Sequence, residues 1–372
     1  MDEIDWNDRL IGIKGTRGVG KSTFLLQYAK EHFGPHDRKC LFVNMNNFYF
    51  QSRGIADFAG DFVKQGGRTL LIDQVFKQQD WSKELRKCYD LYPELKIVFT
   101  GSSVMRLKEE NPELNGIVKS YNLRGFSFRE FINLQTGNNF KAYELDDILR
   151  NHEHIIKQIL PKVSPMKYFQ DYLHHGFYPF FLEQRNFTEN LLKTMNMMTE
   201  VDILLIKQIE LKYLPKIKTL FYQLAVEGAK APNVSQLADC INTSRATVMN
   251  YIKYLADARL INMIYPDGQF FPKKPSKVML HNTNLMYAIF PLQIDEQEIM
   301  ETFFVNSMWK DHKVHQGGKD HFYMVDGTTK FRICDAHATN KVRFNPDTIY
   351  ARYNTEVGKD NKIPLWLLGF LY

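Results

Sequence analysis

The chain has 372 residues, a formal net charge of +6 and four cysteines, a length that exceeds what one hydrophobic core usually serves and so implies about two to four domains. The charge is too mild to nominate nucleic acid as a partner by itself. Cys40, Cys88, Cys240 and Cys334 include no C-x-x-C pair, which argues against a disulfide framework or zinc cluster and predicts reduced, mostly buried thiols.

No apolar run is long enough to span a bilayer, so no membrane association is expected. The acidic start Met1-Asp2-Glu3-Ile4-Asp5 is unlike the basic start of a signal peptide. A cytoplasmic location is the expectation.

In chain order, residues 10–13 read as a short buried strand, and residues 22–32 as a helix burying Phe24, Leu25 and Tyr28 before Gly34-Pro35 stops it. Between them stands Gly15-Thr16-Arg17-Gly18-Val19-Gly20-Lys21-Ser22, followed by Thr23, a complete G-x-x-x-x-G-K-[ST] phosphate loop in the strand–loop–helix context that this chemistry requires. The glycines let backbone N–H groups converge, and the helix N-terminus adds positive potential, which together cradle phosphate oxygens. Lys21 would reach the β- and γ-phosphates, and the Ser22 hydroxyl would ligate Mg²⁺.

A second strand follows at residues 40–44, and residues 54–64 have the apolar spacing of an amphipathic helix. Thr69-Leu70-Leu71-Ile72-Asp73-Gln74 is an apolar strand ending in an acid, the form of a Walker B segment with Asp73 as a second metal ligand. Residues 81–92 read as a helix and 96–103 as a strand whose end gathers Thr100, Ser102 and Ser103. A polar residue there is placed to sense a γ-phosphate, or else the cluster is an ordinary turn. Strands alternating with helices predict an α/β, doubly wound domain with four parallel strands.

Gly15–Thr23, Lys96-Ile-Val-Phe-Thr-Gly-Ser-Ser103 and Gly125-Phe-Ser-Phe-Arg-Glu-Phe131 resemble the prokaryotic AAA+-type ATPases that carry a C-terminal domain of unknown function. Gly176-Phe-Tyr-Pro-Phe-Phe181, Glu301-Thr-Phe-Phe304 and the tail from Lys362 to Tyr372 extend the likeness over most of the chain. The resemblance implies an ATPase core at residues 1–135, a helical lid and connecting bundle at 136–210, a winged helix at 211–285 and a restriction-endonuclease-like module of the PD-(D/E)XK type at 286–372. It implies ATP and ADP as ligands with Mg²⁺, and a homo-oligomer in which Arg106, Arg124 or Arg129 could complete a neighbour's site. It also marks Gln74, since similar ATPases usually carry there the Glu that activates water. Glu84, on the next helix, is the weaker substitute.

Residues 141–211 read as helical throughout, with 144–160 and 189–209 as the longest stretches. Met195, Met197 and Met198 read as pliable packing, and His174 and His175 as structural. Residues 232–264 read as a helix-turn-helix, with Ser235 capping the first helix, Asn242-Thr243-Ser244 turning, and Val248, Tyr251, Ile252 and Leu255 on one face of the second. Ser244, Arg245, Thr247 and Asn250 would then face outward, and Lys273, Lys274 and Lys277 in the wing could meet the phosphates of double-stranded DNA. Docking a protein partner is the alternative use of such a module. In the C-terminal module Asp326 matches the family's first acid, but Arg332 and Ala336 stand where its Glu and Lys would align, and Asp335 would face the other side of the strand. An Arg there repels a metal, so the module is expected to be inactive as a nuclease.

The expected function is a Mg²⁺- and ATP-binding AAA+-like protein with slow hydrolysis, Gln74, Thr100 and Ser102 being the catalytic candidates. Two alternatives stand beside it: an active ATPase working on DNA or protein, and a nucleotide-gated scaffold.

Overall fold

The computed structural model describes residues 3–107, 109–290, 295–318, 321–337 and 345–372, so Met1 and Asp2 of the acidic start lie outside the described residues. The chain divides into two compact units. The first holds residues Met1–Arg124 and Glu200–Ile209, the second Gly125–Thr199 and Glu210–Tyr372.

The first unit is built on β1 (Leu10–Gly15), α1 (Lys21–His32), β2 (Cys40–Asn44), α2 (Ile55–Lys64), β3 (Thr69–Asp73), α3 (Trp81–Leu91), β4 (Lys96–Ser102) and β5 (Lys119–Asn122). The strands form one sheet in the order β2-β3-β4-β1-β5, every pairing parallel. Because a strand's side chains alternate between faces, Leu70 and Ile72 of β3 with Ile97 and Phe99 of β4 join the core under α2 and α3. Leu71 and Val98 join the opposite core, under Leu25 and Tyr28 of α1. Burial on both faces is why these strands read as continuous apolar runs. Four parallel strands were expected and five are present: β5, Lys-Ser-Tyr-Asn, is an edge strand with too little apolar content to show its period.

The second unit opens with α4 (Phe128–Thr136), started by a capping box in which the Ser127 side chain accepts from the Glu130 N–H and Glu130 reaches back to Ser127. The second unit begins at Gly125 and so contains α4. α5 (Leu145–Ile159) kinks at Asn151, and α6 (Met166–Asp171) passes into a π-helical turn, Tyr172–Gly176, in which His175 packs edge-on against Phe131. The long helix expected over 189–209 is broken. α7 (Phe187–Met197) runs into a π-helical stretch, Met198–Ile203, and a single turn, α8 (Leu204–Ile206), where the chain rejoins the first unit. Met195 and Met198 are buried, whereas Met197 is exposed.

Three helices follow, α9 (Leu214–Glu227), α10 (Val234–Cys240) and α11 (Arg245–Asp257), then an antiparallel pair, β6 (Ile261–Ile264) and β7 (Lys277–Leu280). Asn233, not Ser235, caps α10, because its side chain accepts from the Gln236 N–H. Ser244 caps α11, which buries Val248, Tyr251, Ile252 and Leu255 as its spacing predicts. After α12 (Thr283–Ile289) and α13 (Glu296–Met308) comes a mixed sheet of β8 (Val314–Gln316), β9 (Phe322–Val325), β10 (Thr329–Asp335), β11 (Thr348–Tyr353) and β12 (Lys362–Pro364). The tail ends in a 3₁₀ segment, Leu365–Phe370, with Trp366, Leu368 and Phe370 buried.

All four cysteines are free. Only Cys88 is buried, Cys240 being exposed and the other two half-buried, so burial was over-predicted for this residue type. Among the described residues, no helix is long and apolar enough to cross a membrane.

Candidate functional site

The loop between β1 and α1 has the geometry its glycines permit. Gly18 and Gly20 have φ of 86° and 89°, the left-handed region that L side chains rarely adopt. A Cβ on Gly15 would lie 2.3 Å from the Leu123 carbonyl oxygen, so only glycine lets the loop's start approach the segment after β5. Lys21 folds its ammonium back over the loop, donating to the carbonyls of Gly15 (2.9 Å) and Thr16 (2.8 Å). Burial lowers its pKa to about 8, partly opposed by the carboxylates of Asp202 and Asp73.

Asp73, at the carboxyl end of β3 and 2% exposed, gathers donors from three other elements. Ser22 Oγ and Asn44 Nδ2 each donate to Oδ2 at 2.8 Å, and Thr100 Oγ1 donates to Oδ1 at 2.6 Å. The next residue, Gln74, has a left-handed backbone (φ 57°) and donates its N–H to Thr100 Oγ1 at 2.8 Å. Register explains the meeting: β3 and β4 run parallel with Ile72 opposite Phe99, which carries Thr100 alongside the end of β3. Ser22, Asp73, Gln74 and Thr100 are thus brought together. Asn44, the last residue of β2, joins them; a polar residue ending an apolar strand was its only trace in the sequence.

Arg17 lies inside the loop, and its guanidinium pairs with the buried carboxylate of Asp202, Nη2 to Oδ1 at 2.7 Å and Nε to Oδ2 at 3.4 Å. Both residues also act on Lys77, just beyond Gln74, whose pKa is lowered by burial and by the Arg17 charge and raised by Asp202. Neither Asp202 nor Lys77 was among the residues expected at the site.

The other candidates make separate contacts. Ser102 pairs in register with Gly15, but its Oγ accepts from the Val104 N–H at 3.3 Å. Thr23 is on the exposed side of α1. Glu84 is held at the start of α2 by the Ala56 N–H and by Lys87, which removes it as a substitute base. Arg129 is no free finger either: it donates to the carbonyls of Tyr372 and Phe140. Arg106 is exposed and Arg124 half-buried.

In the second unit, Ser244, Arg245 and Asn250 are exposed at the start of α11, as are Lys273 and Lys274 between β6 and β7. Lys277 is different: 7% exposed, it donates to Glu301 Oε2 (2.7 Å) and Tyr323 Oη (3.0 Å). It cannot meet a phosphate, because its charge is spent on a buried acid. Burial pushes Glu301 up, but the hydrogen bond to His321 and the charge and hydrogen bond of Lys277, with Tyr323, outweigh it and leave a pKa of about 2.

Asp326, expected on a strand as a first acid, sits in the turn joining β9 to β10, with φ 53°. Its Oδ1 accepts from the Lys313 N–H (2.8 Å), and Oδ2 lies 2.6 Å from His312 Nδ1. Arg332 pairs with Phe322 at the other end of that hairpin, its guanidinium over the Phe322 ring.

Residues 7–132 match the AAA domain family AAA_14, and residues 166–293 match a domain of unknown function, DUF8612. With the phosphate-loop geometry and the five-stranded parallel sheet, the first match defines an AAA-type domain of the P-loop ATPase class, a class that binds nucleotides. The chain is 26% identical over 291 residues to the uncharacterised protein MJ1637 of Methanocaldococcus jannaschii, an alignment covering 73% of this chain and 60% of that relative's length. It is also similar to the crystal structure of a DNA polymerase III gamma subunit-related protein of Thermotoga maritima, at 13% identity and a TM-score of 0.28, over 68% of this chain and 94% of that one. A TM-score that low carries no weight for the fold.

Proposed function

We propose that this chain is a Mg²⁺- and ATP-binding AAA+-like switch in which binding is firm and hydrolysis slow. The observation that carries this reading is the continuous network Ser22–Asp73–Thr100–Gln74, which ties the phosphate loop to the end of β3 and ends on the backbone N–H of Gln74, a residue whose side chain is a carboxamide and not a carboxylate. The residues fit the metal: a hydroxyl and a carboxylate 2.8 Å apart are hard oxygen donors of the kind Mg²⁺ takes while keeping most of its water. When bound, the ion would neutralise charge on the β- and γ-phosphates. Lys21 binds those phosphates from the loop. Thr100 holds the Asp73 carboxylate and the Gln74 backbone in place, and Gln74 orients a water without taking its proton.

We read α9 to α11 with β6 and β7 as a winged helix and the terminal sheet as a nuclease-like module without nuclease chemistry, Arg332 and Ala336 being the reason. The exposed Ser244, Arg245, Asn250, Lys273 and Lys274 support double-stranded DNA as the partner of the winged helix. That same exposed face favours a second reading, an ATPase stimulated by DNA, and Arg106 or Arg124 would serve it as a finger between copies. Steady-state ATP turnover with and without duplex DNA separates the two. The switch reading expects slow turnover in both conditions, and brisk turnover with DNA overturns it in favour of the second.

A further inference from the structure

Asp202 occupies an unusual place. It is 3% exposed, it lies in a π-helical stretch of a kind frequent at functional sites, and it reaches the one cation in the phosphate loop besides Lys21. Around it the segment is fixed to the first unit at two further points: Ile206 packs on the core beneath α2 and α3, and Lys207 pairs with Glu110 at 2.9 Å. A buried carboxylate has to be neutralised, and here the neutralising charge is drawn from the loop that binds phosphate.

A guanidinium presents the same planar fork to a carboxylate and to a phosphate, and binds either in a bidentate manner. The Asp202 carboxylate thus takes from Arg17 the interaction that a terminal phosphate in the loop would take. The charges of Arg17 and Asp202 are both felt by Lys21 and by Lys77, and Arg17 is the cation that pairs with the acid directly.

We propose that Arg17 and Asp202 are the residues that distinguish ATP from ADP. Asp202 is an internal stand-in for the γ-phosphate, which ATP displaces from Arg17 and ADP does not. Displacement frees the segment Glu200–Ile209, one of the two stretches of the first unit, which continues into the second unit at both of its ends. The proposal rests on the loop being a nucleotide site, and it adds to that reading the group that reads the third phosphate.

The test is equilibrium binding of fluorescent ATP and ADP analogues to the full chain, wild type against Asp202→Asn, Arg17→Ala and the double variant, each first shown to unfold as cooperatively as wild type. Asp202→Asn should tighten ATP roughly tenfold, within the range typical of coupled sites, and leave ADP nearly unchanged. Arg17→Ala should level the two affinities and erase the effect of Asp202→Asn. Amide exchange gives a second readout: ATP, but not ADP, should speed exchange over residues 198–209 in wild type, and Asp202→Asn should speed it without nucleotide. Asp202→Asn that weakens both nucleotides alike, or changes neither, overturns the proposal while leaving the nucleotide site standing. A wild type that binds neither nucleotide overturns both.

Discussion

Ser22 Oγ and Asp73 Oδ2, fifty-one positions apart in the chain, lie 2.8 Å apart. One opens the helix after the phosphate loop and the other closes a strand two places away in the sheet, so the contact exists only because β1, β4 and β3 run parallel and side by side. That contact turns a loop motif and an acidic strand end into one site.

The residue after Asp73 decides how fast such a site can work. A carboxylate there could accept the proton of an attacking water, which an amide cannot. Gln74→Glu should therefore raise ATP turnover about 10²–10⁴-fold, the usual contribution of a general base, with little change in ATP affinity. Turnover already brisk in wild type and unaltered by the substitution would show that another group supplies the base.

Nucleotide affinity should depend on pH through Lys21. Burial lowers its pKa to about 8, and phosphate binds the protonated form. The ammonium is charged below that value and is lost above it, while the terminal phosphate is already ionised. Affinity measured by fluorescent-nucleotide titration should be flat near pH 7 and fall about tenfold per unit well above pH 8. An affinity constant to pH 10 would contradict this.

Lys277 and Glu301 form a buried pair whose loss should be felt in stability rather than in binding. Lys277→Met removes the acid's lysine while His321, Tyr323 and Gln297 still hold it, and an unfolding titration should show a loss of at most about 3–5 kcal/mol. The pKa of Glu301 is depressed from 4.5 to about 2, so the folded state binds fewer protons than the unfolded one between those values. Its contribution is present above pH 4.5 and should be lost as pH falls toward 2, a loss on the order of 3 kcal/mol. Glu301→Gln should flatten that part of the acid-unfolding profile.

If double-stranded DNA is the partner, its affinity should fall steeply with salt, and Lys273→Ala and Lys274→Ala should each reduce the slope by about one. Lys277 should contribute nothing to that slope. Absence of binding at low salt would leave a protein partner as the occupant of the exposed face.

The parts of this molecule legible in its sequence are those whose burial is one-dimensional. Strands buried on both faces, such as Thr69–Asp73, announce themselves as apolar runs, and the phosphate loop as glycines at fixed spacing. β5 escaped because an edge strand of Lys-Ser-Tyr-Asn carries no such pattern. Lys277 was misread because a lysine opening a strand looks solvated; only the approach of Glu301, from a helix 24 positions on, makes it a buried ion. Asp202 was missed for a similar reason, being 185 positions from Arg17 in an amphipathic stretch where an acid is unremarked. The apolar tail, by contrast, could only be read as buried, and its Trp366 and Phe370 are buried within the second unit.

Equilibrium binding of ATP to wild type and to Lys21→Ala in Mg²⁺ tests most directly whether the loop holds ATP through Lys21. Wild type should bind saturably. Lys21→Ala, with its two hydrogen bonds to the loop carbonyls removed and its fold intact by circular dichroism, should lose binding or weaken it by at least about 100-fold, the equivalent of roughly 3 kcal/mol. Equal affinity in the two proteins would contradict the account.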